Sequence, residues 1–153
     1  ELPMAALALE ATMILRAVSG ETEMPIDGFF EAAMVTNIEP EQLLTEIRIP
    51  VWQDARIGTG FNETSSRQGD FAIVAVAAVA SGDTFRLGVG GVADKPTVRS
   101  WTNLADENLD DELNAFAWEL KGSDDIHATA RYRRELVRRL GRRVIEEAKA
   151  CRS

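Results

Sequence analysis

The chain has 153 residues, of which 45% are hydrophobic, and a formal net charge of −8 at pH 7. This length and composition suffice for one domain with a buried core and exclude an intrinsically disordered chain. The longest apolar run, residues 71–80, is shorter than the ~20 residues that cross a bilayer, so we expect no membrane span. One cysteine and one histidine exclude a disulfide framework, a cysteine-bound cluster and a histidine triad for zinc, and they favour a reducing, cytoplasmic compartment.

The N-terminal sequence ELPMAALALEATMILRA has no leading basic segment and carries Glu10 within its apolar part. Together with the lack of an initial Met, this pattern indicates an interior segment of a longer protein rather than a signal peptide. Residues 11–17 and the sequence VSGETEMP after them predict a hairpin of two short strands.

The next segments predict a short helix and a strand. Asp27 precedes the sequence GFFEAAM, and an Asp cap followed by apolar residues predicts a helix there. Residues 45–49 alternate Thr or Ile with Glu or Arg, which predicts a strand with one solvated face that ends at Pro50.

The sequence DFAIVAVAAVASGDTFRLGVGGVA predicts a long hairpin with its turn at residues 81–83. Its first strand is apolar on both faces, which predicts a central strand covered on both sides. Its second strand, residues 85–93, carries Gly88, Gly90 and Gly91. Such glycines let a neighbouring backbone or a ligand come close, or they mark a bulge or a bend.

The pattern becomes helical after Pro96. A first helix is predicted between a cap at Asn108 and Gly122, with a buried stripe at Leu109, Leu113, Phe116, Ala117 and Leu120. A last helix is predicted after a cap at Thr129, with an apolar row at Tyr132, Leu136, Leu140, Val144 and Ala148. Together these elements predict an α+β fold, in which a three-stranded antiparallel sheet packs against C-terminal helices and a hairpin precedes the sheet.

Charge is distributed unevenly along the chain. Residues 131–153 contain nine Lys or Arg and three Glu, a net charge of +6, which leaves −14 on residues 1–130. The acidic part would repel phosphate, and no aromatic residues interleave with the arginines as stacking platforms, so we expect no nucleic-acid partner. The apolar row of the last helix should pack on the domain, while its arginines, Arg133 among them, hold the other, solvated face. That leaves Arg134, Arg138 and Arg142 on the outward side, to pair with the acidic body or with a partner subunit.

The sequence contains no Gly-rich phosphate loop, no zinc-ligand spacing and no Ser/His/Asp grouping. The acidic pairs at residues 110–111 and 124–125 could do acid–base work in a cleft, but both stand where predicted helices begin, which favours helix capping. His127 is interpreted either as a ligand or base, or as a polar residue near the start of the last helix. These residues alone predict only a soluble intracellular α+β module.

Five segments carry a resemblance to a known family: ELPMAALALEATMIL, FFEAAMVTNIEPEQLLTEIRIP, SSRQGDFAIVAVAA, LGVGGVADKPTVR and DDIHATARYRRELVRRLGRRVIEEA. In this order they resemble the C-terminal half of the FAD-binding medium subunit of molybdenum hydroxylases, which include carbon monoxide and xanthine dehydrogenases. The resemblance implies two parts. Residues 1–50 would be the end of the second FAD-binding subdomain, with the hairpin as its remnant, and residues 51–153 the C-terminal domain.

The resemblance also implies cofactors and partners. In that family a large subunit holds the molybdenum cofactor, a small subunit holds two [2Fe-2S] clusters, and the FAD of the medium subunit passes electrons to an acceptor. This chain would help to position FAD for that transfer. The Gly-rich loops that hold the FAD diphosphate lie upstream of the ELP segment in the family, so this chain alone is not expected to hold FAD tightly. The alternative is a non-catalytic subunit-docking domain with the arginine-rich helix as its contact surface.

Three candidate FAD-binding residues follow from the resemblance. The position matching Phe61 is often aromatic and lies near the isoalloxazine ring, where it can stack or gate access. The position matching Asp70 contacts the flavin in the xanthine enzymes, and Arg67 lies in the same loop. Other interpretations stay open: Arg67 can anchor the loop, and Asp70 can accept backbone N–H groups at the loop–strand junction.

Overall fold

The computed structural model describes residues 1–52 and 56–152, which contain three α-helices and nine β-strands. The helices are α1 (Leu2–Ala8), α2 (Leu109–Glu119) and α3 (Ala130–Ala150). The strands are β1 (Thr12–Ala17), β2 (Gly20–Pro25), β3 (Phe30–Ala32), β4 (Val35–Thr36), β5 (Leu43–Arg48), β6 (Ile57–Ser65), β7 (Ala72–Ser81), β8 (Thr84–Gly90) and β9 (Thr97–Thr102). Within these residues, none of the helices has the length and apolar character needed to cross a membrane.

A three-stranded antiparallel sheet forms the N-terminal part, with β1 between β2 and β5. The predicted hairpin is present as β1 and β2, in which Ala17 pairs with Gly20 at the turn. Met13 and Leu15 of β1 are buried against Phe29 and α1, because alternate side chains of a strand point to one face. The strand predicted at residues 45–49 is present as β5, but all six of its residues are exposed, where only one solvated face was predicted.

The short helix predicted after Asp27 is wrong. Residues Ile26–Gly28 form a single 3-10 turn, and β3 and β4 then pair as a small antiparallel hairpin. Phe29 is buried, whereas Met34 is fully exposed and has a φ of +61° at the hairpin tip. The apolar residues of this segment therefore do not share one helical face, and a segment this short does not form a helix without such a face.

A four-stranded antiparallel sheet in the order β6-β7-β8-β9 forms the second part. The predicted long hairpin is present as β7 and β8, joined at Ser81 and Thr84. The α+β class, with antiparallel sheets and C-terminal helices, is confirmed. The number of strands differs from the predicted three because β6 and β9 flank the hairpin, and β5 belongs to the other sheet.

Both faces of β7 are covered, as predicted. Its even-numbered residues from Val74 to Ala80 belong to the main core with α2 and α3. Ala75, Ala77 and Val79 face the other way and pack with Met4 and Ala8 of α1. The four-stranded sheet is thus a layer between a long C-terminal helix and a short N-terminal one.

Glycines let both helices lie close to the sheet. A Cβ on Gly58 would lie 1.7 Å from the Ala148 carbonyl oxygen of α3, and one on Gly60 would lie 2.4 Å from the Val144 carbonyl oxygen. On the opposite face, a Cβ on Gly88 would lie 3.1 Å from the carbonyl oxygen of Met4. The neighbouring backbone predicted near Gly88 is therefore that of α1.

Helices α2 and α3 agree with their predicted stripes, with two exceptions on α3. The Thr129 hydroxyl caps α3 by accepting from the Tyr132 N–H at 3.2 Å. Tyr132 was predicted in the buried row but is 45% exposed, because its side chain lies on the outer side of the helix. Arg133 was predicted on the solvated face but is buried.

Arg134, Arg138 and Arg142, predicted to pair with the acidic body or with a partner subunit, all reach α2 or its C-terminal end, so they contact the domain itself rather than lying free. Arg134 donates to the Lys121 carbonyl oxygen at 2.6 Å and lies 4.2 Å from the Trp118 ring centroid. The other two contact α2 through the Arg138–Asn114 hydrogen bond, at 2.8 Å, and the Arg142–Asp110 ion pair, at 2.6 Å.

Candidate functional site

A cleft of about 450 Å³ opens at the end of the four-stranded sheet where β7 begins and β8 ends. We call it the sheet-end cleft. Its walls come from the β6–β7 loop, the two strand ends and the loop before α3. The residues that line it include Asp70, Ile73, Gly91, Asp125, His127 and Arg133.

The β6–β7 loop is closed by hydrogen bonds to one carbonyl group. The Arg67 carbonyl oxygen accepts from the Ser65 hydroxyl at 2.8 Å and from the Asp70 N–H at 3.1 Å. Gly69 has a φ of +88°, a conformation that suits glycine in a tight turn. The loop therefore presents the Arg67 and Asp70 side chains outward, and among the described residues neither of these side chains makes a hydrogen bond or an ion pair.

Phe61 lies on β6, where it pairs with Ala77, and its ring is 49% exposed. It lines a second cleft of about 360 Å³, the α1 cleft, together with Ala5, Ala8 and Leu9 of the first helix. Asp70 lines the sheet-end cleft, and Arg67 lines neither cleft. The structure thus brings Arg67 and Asp70 together in one loop and places Phe61 on a separate surface of the same sheet.

Arg133 is the buried charge of this region, and the sequence patterns did not single it out. Its side chain is 8% exposed, and its Nη1 donates to the Ile73 carbonyl oxygen at 2.7 Å and to the Gly91 carbonyl oxygen at 2.6 Å. Its Nη2 donates to Asp125 at 2.5 Å. One signal could have found it. Arg133 precedes the buried Leu136 and Val137 by three and four residues, so it belongs to the buried stripe of α3 rather than to the solvated face.

Of the acidic pair before α3, Asp124 binds the start of the helix, as helix capping predicts, whereas Asp125 binds the loop before it. Asp124 accepts from the Ala130 N–H in the first turn of α3 at 2.6 Å. Asp125 accepts from the backbone N–H groups of Ala128 and His127, each at 2.9 Å. These bonds, together with the Arg133 guanidinium, lower the pKa of the Asp125 carboxyl from 3.8 to about 2. Within residues 1–52 and 56–152, no group of three or more His, Cys, Asp or Glu could hold a metal ion.

The residues present offer an aromatic face and polar side chains of the kinds that contact a flavin ring, on two separate surfaces, but no group for its diphosphate. Phe61 beside the small Ala77 leaves a flat apolar surface on which an aromatic ring system can stack. The Arg67 and Asp70 side chains are available to polar atoms at the ring's edge. The 153-residue sequence has no Gly-rich loop whose N–H groups would hold a diphosphate.

Two family models match the chain in succession. Residues 1–52 match the FAD binding domain in molybdopterin dehydrogenase, and residues 59–148 match the CO dehydrogenase flavoprotein C-terminal domain. The chain therefore belongs to the CO dehydrogenase flavoprotein family, in which its C-terminal part is the family's C-terminal domain. The family resemblance carried by the five sequence segments is confirmed.

Three comparisons place the chain within that class. It is 31% identical to the nicotine 6-hydroxylase medium subunit of Paenarthrobacter nicotinovorans, with coverage of 98% of this chain and 56% of that protein. It is 28% identical to the glyceraldehyde dehydrogenase medium chain of Sulfolobus acidocaldarius, with coverage of 96% and 56%. It superposes on the reconstituted CO dehydrogenase from Oligotropha carboxidovorans with a TM-score of 0.88 and 28% identity, covering 100% of this chain and 57% of that chain. The chain thus spans about half the length of these relatives.

Proposed function

We propose that the chain is the C-terminal part of the FAD subunit of a molybdenum hydroxylase and helps to position FAD for electron transfer from [2Fe-2S] clusters to an acceptor. The observation that carries this proposal is the succession of two flavoprotein family models along residues 1–52 and 59–148. In this proposal residues 1–50 end the second FAD-binding subdomain and residues 51–153 form the C-terminal domain.

The proposed complex has two further subunits, a large one with the molybdenum cofactor and a small one with the [2Fe-2S] clusters. Relatives named as a medium subunit, a medium chain and a subunit alpha support a multisubunit enzyme. We place the complex in the cytoplasm. Cys151 is an exposed free thiol, and a reducing compartment keeps such thiols reduced.

Three side chains would contact the flavin in this proposal. When bound, FAD supplies the chemistry of accepting and releasing electrons. Phe61 offers an aromatic face in the α1 cleft, and its partial exposure leaves room for a second ring. The Arg67 guanidinium would stabilise negative charge on the ring oxygens, and the Asp70 carboxylate would accept a hydrogen bond from the ring's N–H group. Neither group has to leave another partner among the described residues to do so.

The test replaces Phe61 in a flavin-loaded subunit that includes this chain. We expect Phe61→Ala to change the visible absorption spectrum of the flavin and its reactivity with acceptors, with little loss of stability. Tyr132→Ala is the matched control, because Tyr132 is also half exposed but lies on α3. A loss of about 3–5 kcal/mol in the free energy of unfolding, the scale of a core Phe truncation, would show Phe61 to be a packing residue instead.

Cofactor content gives an independent measurement. Since the sequence contains no diphosphate-holding loop, we expect the 153-residue chain alone to purify colourless. An absorption spectrum that shows one bound flavin per chain would contradict the assignment of diphosphate binding to another part of the subunit.

A second candidate function is subunit docking without a cofactor contact. It is favoured by the outer face of α3, where Arg131, Arg139 and Arg143 are exposed on a chain of net charge −8. This function predicts that the Phe61 and Asp70 variants leave the flavin unchanged, whereas changes on the outer face of α3 weaken assembly.

A further inference from the structure

The sheet-end cleft lies where the pairing of β7 and β8 stops. The last paired residues there are Ala75 and Gly90, so the carbonyl groups of Ile73 and Gly91 lie beyond the ladder. Both carbonyl oxygens accept from the same nitrogen, Arg133 Nη1, at 2.7 and 2.6 Å. The guanidinium therefore replaces the strand-to-strand hydrogen bonds at the point where the two strands separate.

Gly91 makes this arrangement possible. It has a φ of +83°, and a Cβ at this position would lie 2.5 Å from the Ile73 carbonyl oxygen. Only glycine lets the two carbonyl groups approach closely enough for one nitrogen to serve both. The conformation at Gly91 and the position of Arg133 thus depend on each other.

Asp125 is the third partner of the guanidinium and connects it to the loop before α3. Its carboxylate binds Arg133 Nη2 and also the N–H groups of His127 and Ala128. A planar guanidinium can donate in these separate directions at once, whereas an ammonium group is a point charge without a fixed fork. Arg133 therefore joins three segments: the start of β7, the end of β8 and the loop before α3.

The buried Arg133 side chain does not have a hydrogen-bond partner for every N–H group. Its Nε is the one side-chain nitrogen or oxygen that is buried without a hydrogen-bond partner in the part of the chain that the structure describes. A buried charge of this kind is a weak source of stability compared with a packed apolar side chain. The bonds to the two strand ends indicate what the charge does, which is to fix backbone position.

The backbone that it fixes leads directly to the candidate flavin residues. The β6–β7 pairing ends at Ser65 and Ala72, so the loop with Arg67 and Asp70 is short and closed. Ile73 is the second residue after that loop, and Asp70 and Arg133 line the same cleft. An anchor at Ile73 therefore sets the direction in which the loop leaves the sheet.

We propose that Arg133 is a positioning residue for the flavin, which acts by holding the Asp70 loop through the Ile73 and Gly91 carbonyl groups. This inference rests on the proposed function. It assigns to Arg133 an effect on the flavin without direct contact, transmitted through Asp70.

The experiment uses a flavin-loaded subunit that includes this chain and compares Arg133→Met and Arg133→Lys with Arg139→Met and Arg139→Lys. Arg139 is the matched control because it lies on the same helix with 76% of its side chain exposed. We expect Arg133→Met to shift the visible absorption maxima and the reduction potential of the flavin, Arg133→Lys to shift them less, and both Arg139 variants to leave them unchanged. If Arg133→Met does not fold, Arg133→Lys and Asp125→Asn carry the same comparison.

A second measurement separates positioning from general destabilisation. If Arg133 acts through Asp70, the shift caused by Arg133→Lys should disappear in an Asp70→Asn background, because the two changes are not independent. The positioning role would be overturned if Arg133→Lys shifted the flavin spectrum by the same amount in the Asp70→Asn background, or if it caused no shift in the otherwise wild-type subunit. In either case, a shift caused by Asp70→Asn alone would still support the proposed function. If Asp70→Asn and Phe61→Ala both leave the flavin unchanged, it is the proposed function that fails.

Discussion

Helices α1 and α3 lie on opposite faces of the same sheet, and each approaches it over glycines. Under α3, the atoms that a new Cβ would meet at Gly58 and Gly60 are helix carbonyl oxygens, at 1.7 and 2.4 Å. Under α1, the atoms near Gly90 belong to the Met4 side chain, at 3.2 Å or more. Under α3 the new methyl group would overlap backbone atoms, so the whole helix would have to shift, whereas a contact at 3.2 Å under α1 is relieved when Met4 gives by a few tenths of an ångström. The two faces therefore differ in how well they tolerate a methyl group at a glycine, although both helices approach the sheet over glycines.

The polar contacts on the α3 and α1 sides of the sheet also differ. On the α3 side, the buried Arg133 binds two backbone carbonyl groups and Asp125. On the α1 side, Arg86 donates to the Ala8 carbonyl oxygen at 3.2 Å and pairs with Glu10, which is exposed. Exposed pairs contribute little to stability. We therefore expect α3 to be an integral part of the C-terminal domain and α1 to be an adaptable cover.

The strongest test of this comparison is a methyl group under α3. We expect Gly58→Ala to lower the free energy of unfolding by about 3 kcal/mol, since the methyl group would displace the Ala148 carbonyl group. Urea unfolding measures the change. Gly28→Ala is the control, because no atom lies within 4 Å of a Cβ there. Equal stabilities of the two variants would contradict the close packing of α3.

The corresponding change under α1 should be smaller. We expect Gly90→Ala to cost about 1 kcal/mol or less, because the contact with the Met4 Cβ at 3.2 Å is relieved by a small shift of α1. The same urea measurement on Gly88→Ala sharpens the comparison, since its neighbours include the backbone oxygen of Met4 as well as the Ala8 side chain. A greater loss for Gly90→Ala than for Gly58→Ala would reverse the proposed order of the two faces.

Acid titration tests the polar contacts on the α3 side. The pKa of Asp125 is lowered from 3.8 to about 2, so its contribution to stability is present above pH ~3.8 and is lost as the pH falls through 2. We expect Asp125→Asn to melt at a lower temperature than the wild type at pH 6, with the difference disappearing near pH 2. The control is Asp111→Asn, at an exposed carboxylate of α2. A difference that persists unchanged at pH 2 would mean that the charge of Asp125 is not what stabilises the loop.

The smallest effect on folding is expected on the outer face of α3. Replacing Arg131, Arg139 and Arg143 by Gln should change the melting temperature very little, since exposed pairs contribute only ~0–1 kcal/mol each. If this face binds a partner subunit, the same variant should reduce co-purification of the complex, most clearly at low salt, where screening is weakest. Unchanged assembly at low salt would remove the docking candidate.

The sequence predicted an element well where the pattern lies within that element, and poorly where the element depends on residues far away in the chain. The β7–β8 hairpin and helices α2 and α3 were predicted because long apolar patterns have a clear period. Strand β6 was missed because its sequence IGTGFNETS is polar and contains Gly58 and Gly60. Those glycines suit a strand only because α3, more than 80 residues later in the chain, lies on them. A pattern within β6 cannot report a contact made at that distance.

The candidate site shows the same limit. The family resemblance selected Phe61, Arg67 and Asp70, and their flavin contacts stay predictions. No periodicity indicated that Phe61 and Asp70 would line different clefts, because that depends on which face of β6 turns toward α1. Arg133 was assigned to the solvated face because charged residues are rarely buried. Its burial follows from the carbonyl groups of Ile73 and Gly91, which lie far from it in the sequence and which only the fold brings to its guanidinium.

Strand β5 has a consequence for how this chain behaves when it is handled by itself. It is one of the two edge strands of its sheet, and all six of its residues are exposed, with Leu43 and Ile47 among them. An exposed strand edge offers unpaired N–H and C=O groups to a strand of another molecule. Arg48 and Pro50 oppose this by adding charge and by ending the run, but they protect only one end of the strand. At high concentration β5 is therefore the place where two copies would begin to associate, through backbone pairing that involves neither cleft.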